Sequence, residues 1–206
     1  MTLDGNHVVG VIERVFLKAD MVFEPTGAIL SCADLGDSCT DISIVNNVAS
    51  GAPFTGFAAY AHKCEDQKQI VFRDNVAHSN RDTGAIIFAN LSDSDQKDCM
   101  EASRFSAYKN GLDGIVSFHD VGAKKVLFTK MVLIDNGFGA TPMVGQEGDD
   151  LEAQIIDSVF HGETDARDCF YQNECISGRD HAGCRDKSAI QLSYYAKVGK
   201  PPLPKS

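Results

Sequence analysis

The sequence predicts an all-β fold, a right-handed parallel β-helix with about five to six coils of 26–30 residues. Three observations support this prediction. Residues of the same chemical class recur at near-constant spacing, apolar residues alternate with other residues inside each repeat, and no helical periodicity extends beyond two turns. A unit of this length with two or three short strands cannot bury its own apolar face, and stacking successive units solves that problem.

The first part of each repeat is marked by a column of anchor residues spaced 26–30 positions apart. The anchors are Val48, Val76, Ser106, Val132 and Val159. The positions four and six residues before each anchor are always apolar, whereas the position between these two is mixed. This alternation is typical of a strand with one buried face. We therefore expect equivalent strands to pair in parallel, so that each apolar column becomes a ridge of the core.

Three further columns follow the anchor: an asparagine four residues later, a glycine eight residues later and a large aromatic residue twelve residues later. These positions are Asn80, Asn110 and Asn136; Gly56, Gly84 and Gly114; and Tyr60, Phe88 and Phe118. We expect the asparagines to form a polar ladder at a corner, the glycines to form sharp bends with positive φ, and the aromatic rings to stack. Ala140 and Arg167 continue the glycine column in the last two repeats.

Two other repetitive or all-β folds fit the pattern less well. A leucine-rich repeat has a similar period, but its L-x-x-L-x-L frame is absent. A β-sandwich also contains short alternating strands, but it does not align the same residue classes at near-constant spacing. The β-helix is therefore the preferred architecture.

The prediction assigns residues 1–195 to the β-helix, with the clearest repeats at 40–165, and residues 196–206 to a proline-rich tail. Residues 8–23 are expected to form a preceding coil, with Ala19 as its anchor and Gly27 at its bend. The polar, cysteine-rich segment 168–187 is interpreted as a loop or cap. Alternation of apolar and polar residues over 189–195 predicts the last strand.

The charge of the chain limits its partners. The formal net charge is −10 and the isoelectric point is about 4.9. Such an acidic chain repels phosphate backbones and anionic lipid surfaces, so nucleic acid is excluded as a general partner. No apolar run reaches the roughly 18 residues that a membrane span requires, and no membrane insertion is expected. Other segments of a longer chain, other extracellular proteins and glycans remain as possible partners.

The chain contains seven cysteines: Cys32, Cys39, Cys64, Cys99, Cys169, Cys175 and Cys184. Their grouping in loops indicates disulfides formed in an oxidising compartment, since the nearest zinc pattern, over 169–184, is looser than structural zinc sites allow. Cys64 and Cys99 occupy equivalent loops of adjacent coils, so a bridge between them is possible, although spacing leaves connectivity open. No signal peptide begins the sequence, and we expect it to be a piece of a longer secreted protein.

No catalytic, cofactor-binding or metal-binding residue is predicted. Asp74 and Asp157 share a column, but three coils separate them by about 14 Å, beyond the roughly 5–9.5 Å of paired glycosidase carboxylates. Arg104 and Lys130 lie between them in the column and are expected to form exposed salt bridges. Calcium is considered because segments 93–95 and 147–150 supply acidic oxygen ligands, yet neither follows the EF-hand pattern. Asn90 begins the sequon Asn-Leu-Ser, a glycosylation candidate in a secreted chain.

A family resemblance rests on three stretches: Ile44-Val-Asn-Asn-Val-Ala-Ser50, Phe72-Arg-Asp-Asn-Val-Ala-His-Ser79 and Thr83-Gly-Ala-Ile-Ile-Phe88. They resemble the parallel β-helix repeats of fibrocystin and fibrocystin-like proteins and of the related cell-surface hyaluronidase family, over about residues 40–165. The resemblance implies a β-helix inside a long ectodomain, often linked to cilia, surface coats or matrix. No match to the other domains of these families is present, so their activities are not carried over.

These observations predict a non-catalytic structural or adhesive segment of a larger extracellular or cell-surface protein that mediates protein–protein assembly. The alternative is a β-helix that binds or cleaves an extracellular polysaccharide. That alternative requires at least two acidic side chains, or a basic residue beside an acid, within reach of one substrate.

Overall fold

The computed structural model describes residues 2–9, 27–30, 43–64, 72–88, 99–118, 124–144, 152–162, 188–190 and 193–194. Every regular element within these ranges is a β-strand, and the strands stack as a parallel β-solenoid. The predicted fold class is confirmed. A helix long and apolar enough to cross a membrane is not found in this part of the chain.

Three parallel sheets form the sides of the solenoid, and each of six coils contributes one strand to each sheet. The first sheet contains β1 (Thr2–Asp4), β4 (Ser43–Val45), β8 (Phe72–Arg73), β11 (Cys99–Ser103), β14 (Lys125–Thr129) and β18 (Glu152–Ile156). The second sheet contains β2 (His7–Val9), β5 (Val48–Ser50), β9 (Val76–His78), β12 (Ser106–Tyr108), β15 (Val132–Ile134) and β19 (Val159–His161). The third sheet contains β3 (Gly27–Leu30), β6 (Thr55–Tyr60), β10 (Ala85–Phe88), β13 (Asp113–Phe118), β16 (Phe138–Thr141) and β20 (Ser188–Ile190).

Three short strands lie outside this regular path. Strand β7 (His62–Lys63) pairs antiparallel with β11 of the first sheet. Strand β17 (Met143–Val144) pairs in parallel with β21 (Ser193–Tyr194). Strands β20 and β21 together fall where the alternation over 189–195 predicts the last strand.

The anchor column has the predicted register. Val76 pairs with Val48 on one side and Ser106 on the other, and the column continues through Val132 to Val159. The apolar residues four positions before the anchors pack in the core from the first sheet, as do Met100 and Val126 six positions before their anchors. Ile42 and Ile70, in the same column, lie outside the described residues. The repeat spacing read from the sequence is therefore the spacing of the coils.

The first coil differs from the prediction. Val48 pairs with His7, so the anchor of the first coil is His7 and not Ala19. Gly27 pairs with Thr55 and lies at the start of β3, one position before the glycine column. The physical reason is an insertion at 10–26, which separates β2 from β3 and makes this coil longer than the others. Ala19 itself lies outside the described residues.

The glycine column also shifts in the last two coils. Ile115 pairs with Ala140, so Gly139 and not Ala140 follows Gly114 in the column. The corner of this coil is one residue shorter than in the preceding coils. In the final coil β20 takes the place that was predicted for Arg167, which lies outside the described residues. Insertion of 163–187 before β20 breaks the constant spacing there.

The inward-facing residues of the three sheets form one apolar core. Its centre is an aromatic cluster in which Phe57 of the third sheet contacts Phe72 and Phe105, with ring centroids 5.5 and 6.1 Å apart. Both contacts are edge-to-face, an arrangement that stabilises aromatic pairs beyond their burial alone. All three rings are fully buried.

The corners depend on residues in the left-handed backbone region. Between the first and second sheets, Gly5 has φ 67°. The equivalent residues of the next five coils, with φ of 49–57°, are Asn46, Asp74, Arg104, Lys130 and Asp157. A second column with φ of 54–67°, between the second and third sheets, contains Gly51, Ser79, Lys109 and Asp135. This conformation is strained for most residues, so the stacked coils must hold it in place.

The prediction that Gly56, Gly84 and Gly114 provide positive-φ bends is wrong. These glycines have φ outside the left-handed region, and they lie beside the neighbouring coil with no room for a side chain. A Cβ on Gly56 would approach the Gly84 carbonyl oxygen to 2.7 Å, and one on Gly114 would approach the Gly139 carbonyl oxygen to 2.6 Å. Close approach of coils, rather than bending, requires glycine here.

Candidate functional site

The predicted asparagine ladder forms inside the corner between the second and third sheets. Asn110 Oδ1 accepts hydrogen bonds from the backbone N–H and the side-chain amide of Asn80, at 3.2 and 2.9 Å. Asn136 Oδ1 accepts the same pair from Asn110, at 3.1 and 2.8 Å. The three side chains are buried, and each amide also donates to a backbone carbonyl. The ladder therefore satisfies backbone groups of the corner and offers nothing to a ligand.

A second ladder, which the column analysis missed, lies one residue before the anchors. Asn47 Oδ1 accepts from the backbone N–H and the amide of Asn6, both at 2.9 Å, and Asn75 Oδ1 accepts from Asn47 in the same way. Later coils replace this asparagine by Phe105, Met131 and Ser158. Because the residue class changes halfway along the solenoid, the column is not visible as a repeat.

The aromatic column lies on the outer side of the third sheet. Tyr60 and Phe88 contact each other with ring centroids 6.1 Å apart and planes tilted by 53°. Together with Ala58 and Ile86 they form a small apolar cluster that is separate from the main core. Phe118 pairs with Phe88 in the strand register, as predicted. Its backbone belongs to the described part of the structure, whereas its side chain does not.

One disulfide is present in the described residues, between Cys64 and Cys99, whose Cα atoms are 5.5 Å apart. It fixes β7 against β11. The other predicted cysteines lie outside the described ranges, as do the sequon at Asn90 and the two acidic segments considered for calcium. Among the residues that the structure describes, no group of three or more His, Cys, Asp and Glu side chains could hold a metal ion.

Reduction of this disulfide is expected to lower the free energy of unfolding by about 3 kcal/mol, because the bridge closes a long loop in the unfolded chain. The two cysteines are separated by 35 residues. Urea unfolding of the Cys64→Ala/Cys99→Ala variant beside the oxidised chain measures the effect. Equal unfolding midpoints for the two proteins would contradict it.

The charged column contains the predicted salt bridge. Arg104 binds Asp74 through two nitrogens, Nε at 2.7 Å and Nη2 at 2.8 Å, and Arg73 Nε lies 3.4 Å from the same carboxylate. These side chains are partly exposed, so the pairs contribute little to stability. The salt bridge predicted for Arg104 is therefore confirmed, and the one predicted for Lys130 stays a prediction.

Asp113 is the carboxyl group whose chemistry differs most from that of an ordinary surface acid. Its pKa is raised from 3.8 to about 6, chiefly by burial. The hydrogen bond from Thr141 partly opposes this rise, and the charge of Asp82 adds to it. Burial also raises the pKa of Asp82, while the neighbouring Arg81 lowers it. The pair lies at the corner that leads into the third sheet. The sequence columns could not identify Asp113 as an unusual acid, because its burial and its neighbours Asp82 and Thr141, from the coils on either side, arise only when the coils stack.

This shift makes stability depend on pH. The folded chain holds the Asp113 proton more tightly than the unfolded chain, so the stability it provides is present below the ordinary pKa of 3.8 and is lost as pH rises through about 6. We expect Asp113→Asn to raise the free energy of unfolding at pH 7 by about 2 kcal/mol and to flatten its pH dependence. Urea unfolding at several pH values measures this. The exposed variant Asp157→Asn is the control, with an expected change below about 0.5 kcal/mol.

The outer surface of the second sheet is the most extended candidate for binding. The middle residue of each strand packs in the core, so the flanking residues point outward. We call the outward-facing residues that are at least partly exposed the lateral face: His7, Val9, Val48, Val76, His78, Ser106, Tyr108, Val132, Ile134, Val159 and His161. Ser50, at the equivalent position of the second coil, is buried. No residue of the lateral face is Lys, Arg, Asp or Glu, although the whole chain has a net charge of −10.

The lateral face combines exposed apolar groups with an aromatic pair. Val9, Val132 and Val159 are 73, 38 and 57 % exposed. His78 and Tyr108, one coil apart, stack with ring centroids 4.6 Å apart and planes at 4°. Burial lowers the pKa of His78. The two left-handed corner columns border the face and carry most of the nearby charges. The face is therefore an apolar strip with a polar rim.

Comparison of the chain with protein-family models, with curated proteins and with solved structures finds no match. The β-solenoid is thus established by the strand pairing alone.

Proposed function

We propose that this chain is a non-catalytic structural or adhesive β-helix segment of a larger extracellular or cell-surface protein and that it mediates protein–protein assembly. The observation that carries the proposal is the lateral face. Protein interfaces have few charged residues at their centre, an enrichment in aromatic residues and a polar rim. An acidic chain with a strip along six coils that contains no Lys, Arg, Asp or Glu matches that description. The strip follows one continuous sheet, which suits another protein better than a small ligand.

The proposed location rests on two supports. A disulfide such as Cys64–Cys99 is favoured in oxidising compartments. The repeat motif that contains Asn47 and, one coil later, Asn75 resembles the ectodomain repeats of fibrocystin-like and cell-surface hyaluronidase proteins, which are often linked to cilia. If the chain is secreted, a glycan on Asn90 follows from its sequon. Mass spectrometry of the protein from its natural source, with disulfides kept intact, tests both modifications.

Site-specific photo-crosslinking tests the role of the lateral face. A photoreactive amino acid replaces Val132, on the lateral face, or Phe54, an apolar residue that is 36 % exposed outside it. We expect discrete protein cross-links from position 132 in the natural environment and few from position 54. Val159→Lys in the same chain should abolish them. Equal cross-linking from both positions, or none from position 132, argues against the proposal.

Carbohydrate binding is the second candidate, and the exposed aromatic pair favours it. Tyr108 is 37 % exposed and stacks on His78, while Arg104 and Lys109 lie near it in sequence at the corners. Such a group could contact an acidic glycan. A glycan array tests this with the wild-type chain and Tyr108→Ala. Binding that the substitution removes supports a glycan site, and flat curves for both proteins exclude it.

A further inference from the structure

The lateral face is complementary to itself, and we propose that two copies of this chain pair through it, antiparallel, about a two-fold axis. The axis follows the strand direction and passes between the third coil, which contains β9, and the fourth coil, which contains β12. Each coil then faces a coil of the partner: third on fourth, second on fifth and first on sixth. This pairing rests on the proposed function, because it names a second copy as the partner of the lateral face.

The first support is the order of charges in the corner column between the first and second sheets, which borders the lateral face. From the first coil to the sixth, the column contains Gly5, Asn46, Asp74, Arg104, Lys130 and Asp157. The two-fold axis places Asp74 of each copy against the partner's Arg104, so opposite charges alternate around the axis. Lys130 meets the partner's Asn46 and Asp157 meets the partner's Gly5, so no like charges face each other within this column.

No other antiparallel register of the six described coils gives this result while overlapping four coils or more. An axis through the third coil places Asp74 against its own equivalent, and an axis through the fourth coil does the same to Arg104. An axis between the fourth and fifth coils places Arg104 against the partner's Lys130, and one between the second and third coils pairs no opposite charges. The charges of the corner therefore favour a single register.

A parallel pairing of two copies brings like charges together. It places the first corner column against the second one, coil by coil, and the second column contains Gly51, Ser79, Lys109 and Asp135. Arg104 of each copy would then face the partner's Lys109, and like charges across an interface disfavour a complex. In the antiparallel arrangement Lys109 meets the partner's uncharged Ser79 instead.

The second support is the shape of the face, on which a small side chain lies opposite a large one. Ser50 pairs with Val9 and with His78 in the adjacent strands and is buried, so the surface is lower between these two larger side chains. The antiparallel register brings the partner's Ile134 over this depression. A branched apolar side chain of one copy therefore fills a gap in the other.

The third support is the aromatic pair beside the axis. His78 and Tyr108 stack with ring centroids 4.6 Å apart, and the two-fold axis adds the same pair from the partner. Burial lowers the pKa of His78, so its ring carries no charge at neutral pH. Tyrosines at the centre of an interface often contribute strongly to binding. Four uncharged rings bordered by the paired charges give an interface with an apolar centre and a charged rim.

The size of the face limits the strength of the contact. Six strand spacings along the solenoid and about five residues across it give roughly 29 by 17 Å, or about 500 Å² on each copy. Specific interfaces of this size are weak or transient. We therefore expect a reversible dimer with a dissociation constant on the order of micromolar. Because opposite charges contribute to the contact, salt should weaken it.

Sedimentation velocity on the full chain over a range of concentrations tests the pairing. The mass should rise from 22.3 kDa to twice this value and no further, because a two-fold interface is closed. High salt should lower the proportion of dimer. A chain that stays at 22.3 kDa at every concentration, or that grows beyond the dimer, overturns the proposal.

Two charge reversals isolate the paired corners. Asp74→Arg and Arg104→Asp each place like charges together across the axis, so each variant alone should dimerise about tenfold more weakly or worse. An equal mixture should dimerise again, because the arginine introduced at position 74 of one copy faces the aspartate introduced at position 104 of the other. Both residue types already occupy this left-handed corner, and the exposed pair contributes little to folding, so both variants should unfold near the wild-type midpoint.

Lys130→Asp is the matched control, since it makes the same charge change one coil away, opposite the partner's neutral Asn46. It should change dimerisation by less than about threefold. A mixture of the two charge reversals that stays monomeric while wild type dimerises overturns the proposed register. A loss of dimer for Lys130→Asp as large as that for Arg104→Asp does the same.

Cross-linking separates this pairing from the proposed function. A photoreactive amino acid in place of Val132 of the purified chain should cross-link to the partner's segment that contains Val48, whereas one in place of Phe54 should not. If the purified chain stays monomeric while position 132 still cross-links to a different protein in the natural environment, the second copy is overturned and the lateral face remains an assembly surface. If position 132 cross-links to nothing in either setting, the pairing and the proposed function both fail.

Discussion

Replacing Gly84 with valine is expected to lower the free energy of unfolding by about 4 kcal/mol or more. The Cα of Gly84 lies directly against the next coil, so an added Cβ would overlap the carbonyl oxygen of Gly114 and lie 3.0 Å from Asn110 Nδ2. Neither neighbour can move freely, because Gly114 belongs to β13 and the Asn110 amide is bonded within the ladder. The coils would have to separate, which weakens strand pairing on both sides.

Urea unfolding followed by circular dichroism measures this loss. Gly162→Val is the matched control, because no atom lies within 4 Å of the position of its Cβ, and its expected effect is below about 0.5 kcal/mol. Gly84→Ala should fall between the two and remain measurable if the valine variant does not fold. If Gly84→Val unfolds at the same urea concentration as Gly162→Val, the close approach of the coils does not limit stability.

The glycine column illustrates what the sequence could reveal about this fold. Regular spacing and alternation were sufficient to predict a parallel β-helix and the pairing of Val48 with Val76, since each column reflects one stacked position. The same columns could not distinguish a glycine required for bending from one required for close approach. A sharp bend and a close approach between coils both require glycine. Only the position of the neighbouring coil in the structure shows which of the two reasons applies.

The errors in coil assignment have a different cause. Strands of three residues carry too little alternation to be recognised alone, and β1 and β2 precede an insertion that breaks the spacing. The apolar residues inside that insertion and the spacing from Gly27 predict an anchor at Ala19, whereas the anchor in the structure is His7. A similar insertion before β20 hid the final strand of the third sheet from the column analysis.

The candidate surfaces were only partly predictable. The same residue type recurs at one position of three successive coils, namely Asn80, Asn110 and Asn136. Their ladder could therefore be predicted from the sequence. The lateral face depends instead on which residues of the second sheet point outward. These residues range from valine to histidine and tyrosine, so they do not form a column of one residue class. The raised pKa of Asp113 depends on burial and on the charge of Asp82 from the preceding coil, which no local sequence pattern records.

Asn110→Ala is expected to destabilise the solenoid by about 4 kcal/mol, because it interrupts the ladder at its middle. Asn80 loses the acceptor for both its backbone N–H and its amide, at 3.2 and 2.9 Å. The Ala77 carbonyl loses its donor at 3.3 Å. These groups are buried, and each buried polar group left without a partner costs about 1–3 kcal/mol. Partial relaxation of the corner keeps the total below the sum of these costs.

The open end of the other ladder provides the control. Asn6 bonds to Asn47 but is exposed, so water can replace its side chain, and Asn6→Ala is expected to cost less than about 1 kcal/mol. Urea unfolding of both variants at low protein concentration compares a middle position with an end position in otherwise similar ladders. If Asn110→Ala loses much more unfolding free energy than Asn6→Ala, the uninterrupted row of buried amides is what stabilises the solenoid. Equal small losses would instead assign stability to the apolar columns alone, since the corners would then tolerate an interrupted ladder.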